Sequence, residues 1–359
     1  MRIAHLDGLR GLAIIWVMLF HSYSRWPEYL DFVSTTQEIA ILKYGYLGVQ
    51  LFFMISGFVI FMTLDKSENY TNFIKKRWLR LFPAMLIATI LIYSTASFFS
   101  ERPGGIPSLI NTVPGLTFIS PELIRFFSGN YIGGLEGAFW SLYVEVIFYI
   151  LIGLVYFFMG RKYCIPALFI SFLMFYLSIA LNKFGFSWPY NLISALGFAH
   201  YAWFIVGCVM YELLNKRDNP LINSIAIISV LLTLAGTIFS IGFDLVLILF
   251  YFILLVIFVY SFYSQKIQKI LSNKILLTIG FVSYPLYLIH ENMLVATLVK
   301  LEKVSVPTSI MLIMPILISV FMVGISYILA KYLEPKLRKT IEKIINSRFN
   351  TINQEPTDK

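Results

Sequence analysis

The sequence predicts an all-α integral membrane protein, a polytopic bundle of about ten transmembrane helices. Of its 359 residues, 58% are hydrophobic and only 13% are charged, and the mean hydropathy is +0.79. A soluble globular chain usually has about 25% charged residues, so a soluble enzyme is excluded. Several apolar stretches approach the roughly 20 residues that a helix needs to cross a hydrocarbon core about 30 Å thick. A closed barrel would show alternating segments of about 10 residues instead.

Ten apolar runs, each bounded by polar residues or by Pro and Gly, are the predicted spans. They cover residues 9–24, 45–64, 82–100, 139–159, 163–181, 191–214, 221–241, 245–263, 275–299 and 308–332. Within the first run, the apolar segment 11–20 follows Arg2 and Arg10 and is short enough for a signal peptide. Because no small-x-small cleavage site follows it, we expect the run to be retained as the first helix.

The basic residues predict the orientation of these spans. If the amino terminus is cytosolic, 21 of the 28 Lys and Arg residues fall on the cytosolic side, as the positive-inside rule requires. Both termini are therefore expected in the cytosol. The net charge of +9 is explained mostly by topology, and nucleic-acid binding has no remaining support.

Domain organisation follows from the same pattern, since neither a separate soluble domain nor an internal repeat is apparent. Residues 1–340 are predicted to form one transmembrane domain and residues 341–359 a short cytosolic tail, disordered over 351–359.

Cys164 and Cys208 are the two cysteines. They lack a Cys-x-x-Cys or Cys/His pattern, so they predict neither a disulfide framework nor a metal site, and we interpret them as packing residues.

The connection 101–138 is long, rich in Pro and Gly, and predicted to lie on the outer face. Loops of this length without obvious helix are usually functional or disordered. Two interpretations stay open, a partly ordered cap over a site and a plain linker.

Arg10 and His21 form the sharpest polar pair, because a charge inside a span costs roughly 2.5 to 3.5 kcal/mol on insertion scales. They are eleven residues apart, so about three helical turns place both on one side of the first helix, roughly 16 Å apart along its axis. An elongated ligand with phosphates at one end and a reactive group at the other fits that spacing. Alternatively, Arg10 is a snorkelling anchor and His21 an interfacial packing residue.

Arg77 and Arg80 belong to a basic cluster directly before the third predicted span and share a helical face at i, i+3. Paired guanidinium groups suit bidentate phosphate binding. A positive-inside cluster accounts for the neighbouring lysines without further help and remains the alternative for the arginines.

Glu145 lies about two turns into the fourth predicted span, at the depth predicted for His21. A histidine with a carboxylate partner in a dry environment is a general-base candidate. The alternative is a structural hydrogen bond to another helix.

His290, near the outer end of the ninth span, either lines the acceptor side or caps the interface.

Five sequence blocks carry a family resemblance. They are DGLRG at 7–11 with His21, FFMISGF at 52–58, RWLRLFP at 77–83, FWSLYVE at 139–145 and SYPLYLIH at 283–290. In this order and over essentially the whole chain, the sequence resembles the acyltransferase-3 family of bacterial membrane O-acyltransferases. The family's Arg-x10-His pair falls on Arg10 and His21, its Arg-x-x-Arg motif on Arg77 and Arg80, and its carboxylate on Glu145.

The resemblance implies a ten-helix enzyme of the bacterial cytoplasmic membrane that transfers an acyl group, most often acetyl, from cytosolic acetyl-CoA or another acyl-CoA. The implied acceptor is a hydroxyl of an extracytoplasmic carbohydrate, such as lipopolysaccharide, exopolysaccharide or a lipid-linked sugar. The implied partners are acyl-CoA, that glycan and membrane lipids, with no metal. Some members carry an extra extracytoplasmic hydrolase-like domain, and since nothing here corresponds to it, transfer is expected within the membrane domain.

The combined hypothesis assigns roles to these residues. The three arginines would hold the phosphates of CoA, and His21, oriented by Glu145, would deprotonate the acceptor hydroxyl or first accept the acyl group. Trp140, Tyr284 and His290, from the same blocks, are expected to contact substrate.

Two other functions remain open at this stage. Intramembrane Arg, His and Glu also mark the pathways of proton-coupled secondary transporters, although no inverted repeat supports one. A non-catalytic flippase-like or scaffold protein for glycan assembly would not need Arg10, His21 and Glu145 to act together.

Overall fold

The computed structural model describes residues 3–217 and 219–352, and the regular structure of these residues is entirely helical. The all-α prediction is therefore confirmed. The α-helices, numbered α1 to α17, are Ala4–Tyr23, Ala40–Lys43, Gly48–Leu64, Tyr70–Thr95, Thr112–Thr117, Pro121–Ser128, Trp140–Leu154, Cys164–Lys183, Ser187–Ala195, Tyr201–Leu214, Pro220–Ile241, Leu245–Tyr263, Gln265–Leu271, Lys274–Lys303, Thr308–Met311, Met314–Ile328 and Glu334–Ile352. Short 3₁₀ turns and two π-helical turns, Val155–Met159 and Leu329–Leu333, complete the helical structure.

Seven helical segments of the described chain are long and apolar enough to cross a membrane. An eighth is added if α9 and the helix Phe198–Leu214, which meet at a 59° bend, form one broken span. The protein is thus a helical integral membrane protein. The other two predicted spans lie on α1 and α14, which carry polar residues that lower their hydropathy. The total of ten spans stays a prediction.

Two boundaries differ from the sequence prediction. α4 begins at Tyr70 rather than near residue 82, because the Asn69 side chain caps it by accepting a hydrogen bond from the backbone N–H of Asn72 at 2.8 Å. Arg77 and Arg80 therefore lie on α4 itself and not before it. α17 continues through residue 340 to Ile352, so residues 351 and 352 are helical, and the rest of the predicted disordered end, 353–359, lies outside the described residues.

The closest helix pair, α1 and α14, runs parallel and is held together by glycines. A Cβ atom at Gly280 would lie 1.8 Å from the backbone oxygen of Asp7, so the two backbones touch where no side chain fits. The contact sets the register of the pair. It brings His21 and His290 to the same level, with ring centroids 5.0 Å apart.

A second glycine contact joins α3 to α10. A Cβ at Gly57 would lie 2.2 Å from the backbone oxygen of Phe204, and one at Gly207 would lie 2.0 Å from that of Met54. Cys164 and Cys208 are buried and unpaired, which confirms their assignment as packing residues.

The 101–138 loop is ordered in the structure. It contains α5, α6 and 3₁₀ turns, and the buried side chains of Arg102 and Glu136 form an ion pair at 3.4 Å where its two ends meet. Burial raises the pKa of the Glu136 carboxyl to about 8, against the opposing effect of Arg102. Its packing resembles a cap more than a plain linker.

Candidate active site

The three predicted arginines line one cavity of about 80 Å³. Arg10 reaches it from α1, and Arg77 and Arg80 reach it from α4, where the i, i+3 spacing puts both on one face. We call it the arginine cavity. Its polar lining consists of Arg10, Ser56, Arg77, Arg80, Ser141, Glu145, Tyr149, Ser283, Tyr284 and Tyr287.

The arginine cavity has a surplus of positive charge. Glu145 is the one carboxylate among its lining residues, and Arg10 is ion-paired with Asp7 at 2.7 Å outside that lining. The Nε of Arg77 is buried without a hydrogen-bond partner among the described residues. A buried guanidinium N–H without a partner, beside two further arginines, favours an anionic ligand with several oxygens, such as a phosphate.

A second cavity, of about 320 Å³, adjoins the first, since Arg10, Arg80 and Tyr284 line both. It extends toward Ile3 and Met62, near the beginning of α1 and the end of α3. The two cavities therefore share the walls formed by Arg10, Arg80 and Tyr284.

Glu145 does not lie beside His21, as the sequence interpretation had it. Its Oε1 accepts hydrogen bonds from Ser56 Oγ and from the hydroxyl of Tyr149, each at 2.5 Å, inside the arginine cavity. The carboxylate that approaches His21 is Glu291. The expected His21–Glu145 pair is therefore wrong, because α7 carries Glu145 to the level of the arginines and not to the level of the histidine.

His21, His290 and Glu291 form a second polar group, which we call the histidine cluster. The Nδ1 of His21 lies 3.3 Å from Oε1 of Glu291, an ion-pair distance without hydrogen-bond alignment, and the two side chains are 11% and 5% exposed. The Nδ1 of His290 lies 2.9 Å from the backbone oxygen of Tyr287, and its Nε2 is buried without a partner among the described residues. Two imidazoles and a carboxylate thus share a largely dry site.

The 101–138 loop docks on the histidine cluster. The backbone N–H of Ala138 donates to Oε2 of Glu291 at 2.6 Å. The next residue of α14, Asn292, donates its backbone N–H to Oε2 of Glu136 at 3.0 Å and accepts from the backbone N–H of Gly104, also at 3.0 Å. Both ends of the loop therefore cover the same turn of α14.

A chain of hydrogen bonds connects the arginine cavity with the histidine cluster. Tyr287, which lines the cavity, donates its hydroxyl to the backbone oxygen of Ala138 at 2.8 Å and therefore accepts from Ser141 at 2.8 Å. The same Ala138 residue donates its N–H to Glu291. The ring of Tyr287 also lies 5.4 Å from that of His290. The two halves of the site are neighbours although His21 does not line the cavity.

The three predicted substrate contacts fall in different places. Tyr284 lines both cavities and donates to the backbone oxygen of Leu81 at 3.0 Å, and His290 belongs to the histidine cluster. Trp140 is outside the lining of the arginine cavity and 38% exposed, with its ring 4.8 Å from that of His200.

Sequence reasoning passed over Glu291, Tyr287 and Ser56. Glu291 carried a usable signal, because it is a carboxylate inside a predicted span, the same criterion that selected Glu145. Ser56 and Tyr287 carried none beyond membership of the blocks 52–58 and 283–290. No group of three or more His, Cys, Asp or Glu side chains suited to a metal ion occurs within the described residues.

The family model and the relatives found by comparison with known proteins agree with one another. The sequence model described as "Acyltransferase domain" matches residues 3–331. "O-acetyltransferase OatA" of Staphylococcus aureus strain NCTC 8325 / PS 47 is 28% identical over 380 residues, covering 93% of this chain and 57% of that protein. SAR0937 of S. aureus strain MRSA252, also named an O-acetyltransferase, is 24% identical over 382 residues, covering 97% and 59%. The chain therefore spans little more than half the length of these relatives. No solved structure matches it.

Proposed function

This chain belongs to the acyltransferase family whose model covers residues 3–331, and from that premise we propose that it is a membrane O-acyltransferase. It transfers an acyl group, in the first instance acetyl, from acyl-CoA to a hydroxyl of a carbohydrate outside the cytoplasm. The relatives named as O-acetyltransferases support the choice of acyl group.

The arginine cavity is the observation that carries this proposal. Three guanidinium groups from two helices, one with a buried unpartnered Nε, line a space that also extends toward the start of α1. Coenzyme A carries a pyrophosphate and a further phosphate, and arginine binds such groups through paired hydrogen bonds. Arg10, Arg77 and Arg80 hold these phosphates, and the acyl end points toward Ser141 and Tyr287.

The chemistry takes place at the histidine cluster. His21 accepts the proton of the acceptor hydroxyl as the oxygen attacks the thioester carbon; a C–O bond forms, the C–S bond breaks, and the proton passes from His21 to the departing sulfur. The products are an ester and the free thiol of CoA. A route through an acyl-histidine intermediate on His21 gives the same products in two steps.

The acceptor side follows from the orientation. With both termini in the cytosol, the arginines lie toward the cytosol, where acyl-CoA is made, and the histidine cluster with the 101–138 loop lies toward the opposite face. An envelope glycan or lipid-linked sugar then meets His21 beneath the loop. The membrane is the bacterial cytoplasmic membrane.

The proposal is tested on purified protein in nanodiscs supplied with acetyl-CoA and a panel of envelope saccharides. We expect release of the CoA thiol that depends on an acceptor, with acetyl ester appearing on the saccharide. A secondary transporter would release no thiol with any of them, and that result would reject the enzyme.

Topology gives a separate prediction. Reporter fusions after Lys359 should report from the cytosol, and insertions within 103–121 should report from the other side, because 21 of the 28 basic residues then face the cytosol. A tail that reports from outside, or a loop that reports from inside, would reverse the assignment of donor and acceptor faces.

Replacing Glu145 is expected to change the binding of the donor and not the rate of the chemical step. Since its carboxylate shares the cavity with the arginines, it repels an anionic donor, and Glu145→Gln should lower the KM for acetyl-CoA by about tenfold. Gln keeps an oxygen to accept from Ser56 and Tyr149, so kcat should change little. Steady-state kinetics over donor concentration tests this, and a collapse of kcat at unchanged donor KM would return Glu145 to the chemistry.

A further inference from the structure

We propose that Glu291 is the positioning residue of His21, fixing the imidazole so that its Nε2 is the base. The inference rests on the proposed acyl transfer and assigns within it a part that the sequence had given to Glu145. Three observations carry it: the contact with His21, the burial of the pair and the way the 101–138 loop holds the carboxylate.

The contact favours one nitrogen of His21 as the carrier of the proton. Nδ1 lies 3.3 Å from Oε1 of Glu291 without the alignment of a hydrogen bond, and it has no hydrogen-bond partner among the described residues. An ionised carboxylate only accepts hydrogen bonds, so a rotation of the ring that aligns this contact places the proton of the neutral ring on Nδ1. The lone pair is then on Nε2, the opposite side of the ring. When Nε2 takes a proton from the acceptor hydroxyl, the nearby negative charge stabilises the imidazolium.

The loop keeps Glu291 in this position. Its other oxygen, Oε2, accepts from the backbone N–H of Ala138 at 2.6 Å. A Cβ at Gly137 would lie 3.0 Å from the same oxygen, so the loop backbone closes tightly over the carboxyl group. One oxygen is therefore tied to the loop and the other is left for His21.

The nearest competing carboxylates are engaged elsewhere. Glu145 accepts from Ser56 and Tyr149 in the arginine cavity. Glu136 binds the backbone and side chain of Asn292 and pairs with Arg102. Each of these carboxylates has its own partners, and among the described residues the one within 4 Å of a His21 ring nitrogen is Glu291.

The test compares Glu291→Gln with Glu291→Asp. Gln keeps the size and can still accept from Ala138, but its amide donates to Nδ1 and forces the proton onto Nε2, which removes the base. We expect kcat to fall by about 10²- to 10⁴-fold. The KM for acetyl-CoA should stay unchanged, because the arginines bind the donor elsewhere. Asp keeps an acceptor-only carboxylate on a shorter arm and should recover part of kcat.

Two control variants separate positioning from loop docking. Glu136→Gln makes the same exchange at an equally buried carboxyl of the same junction that does not touch His21, and Asn292→Ala removes side-chain hydrogen bonds to Gly104, Leu135 and Glu136. Asn292→Ala should lower thermal stability. Glu136→Gln should keep kcat within about threefold of the wild-type value, and Asn292→Ala, which loosens the loop that holds Glu291, should lose less kcat than Glu291→Gln.

The outcomes distinguish this inference from the proposed function. Wild-type protein that transfers no acyl group to any saccharide rejects the proposed function. If the wild-type protein is active, two results reject the role of Glu291. In one, Glu291→Gln keeps the wild-type kcat; in the other, the two control variants lose as much kcat as Glu291→Gln does. An Asp variant no better than Gln, at equal folded yield, also rejects it, because positioning then does not depend on the carboxylate.

Discussion

Replacing His21 with alanine is expected to lower kcat for acyl transfer by about 10²- to 10⁴-fold, the contribution of a well-placed general base. Acetyl-CoA should still bind with wild-type affinity, because the proposed site for the donor's phosphates is near Arg10, roughly 16 Å along the same helix. This one variant would then lose the chemical step and keep the binding of acetyl-CoA. Single-turnover kinetics together with equilibrium binding of acetyl-CoA measures both.

His5→Ala is the matched control, since His5 lies on the same helix but packs its ring against Phe262, with centroids 5.1 Å apart. We expect it to keep wild-type kcat. If His21→Ala keeps a kcat near that of His5→Ala, His21 is not the base, and His290, whose buried Nε2 has no partner among the described residues, becomes the next candidate.

Alanine at Arg77 or Arg80 should weaken donor binding by about ten- to a hundredfold, which corresponds to the 1.5 to 3 kcal/mol typical of hydrogen bonds to charged groups. The effect should appear in the KM for acetyl-CoA and not in the KM for the saccharide, because the two arginines line the proposed donor site and do not belong to the histidine cluster. Lysine should rescue only partly, since it lacks the planar fork that binds two phosphate oxygens.

Lys76→Ala is the control for the arginine variants, because Lys76 is exposed on the same helix and lies outside the cavity lining. Its donor KM should be close to the wild-type value. If all three variants shift the donor KM equally, the effect is a general surface charge effect, and the cavity is not the phosphate site.

The fold class and the convergence of the arginines could be predicted from sequence. Apolar runs predicted all-helical structure, and i, i+3 spacing predicted that Arg77 and Arg80 share a face. Both predictions depend on local periodicity, which a single helix already displays. The parallel packing of α1 on α14 through Gly280 also follows a small-residue pattern, although its partner could not be identified from sequence alone.

The pairing of His21 could not be predicted from the same information. It depends on the depth at which α7 and α14 stand relative to α1, and this depth is set by contacts between helices far apart in the chain. Glu145 and Glu291 both satisfied the criterion of a carboxylate inside a span, and only the register distinguishes them. Sequence favoured Glu145 because it completes a family block, whereas the loop contact through Ala138 places Glu291 on His21.

The most direct measurement of the central claim uses proteoliposomes that enclose an envelope saccharide and receive acetyl-CoA, labelled in the acetyl group, from outside. The account predicts labelled ester on the enclosed saccharide, with an equal amount of CoA thiol released outside, and loss of both with His21→Ala. Label that enters the vesicles without forming an ester, or thiol release that does not depend on the saccharide, would contradict acyl transfer across this membrane protein.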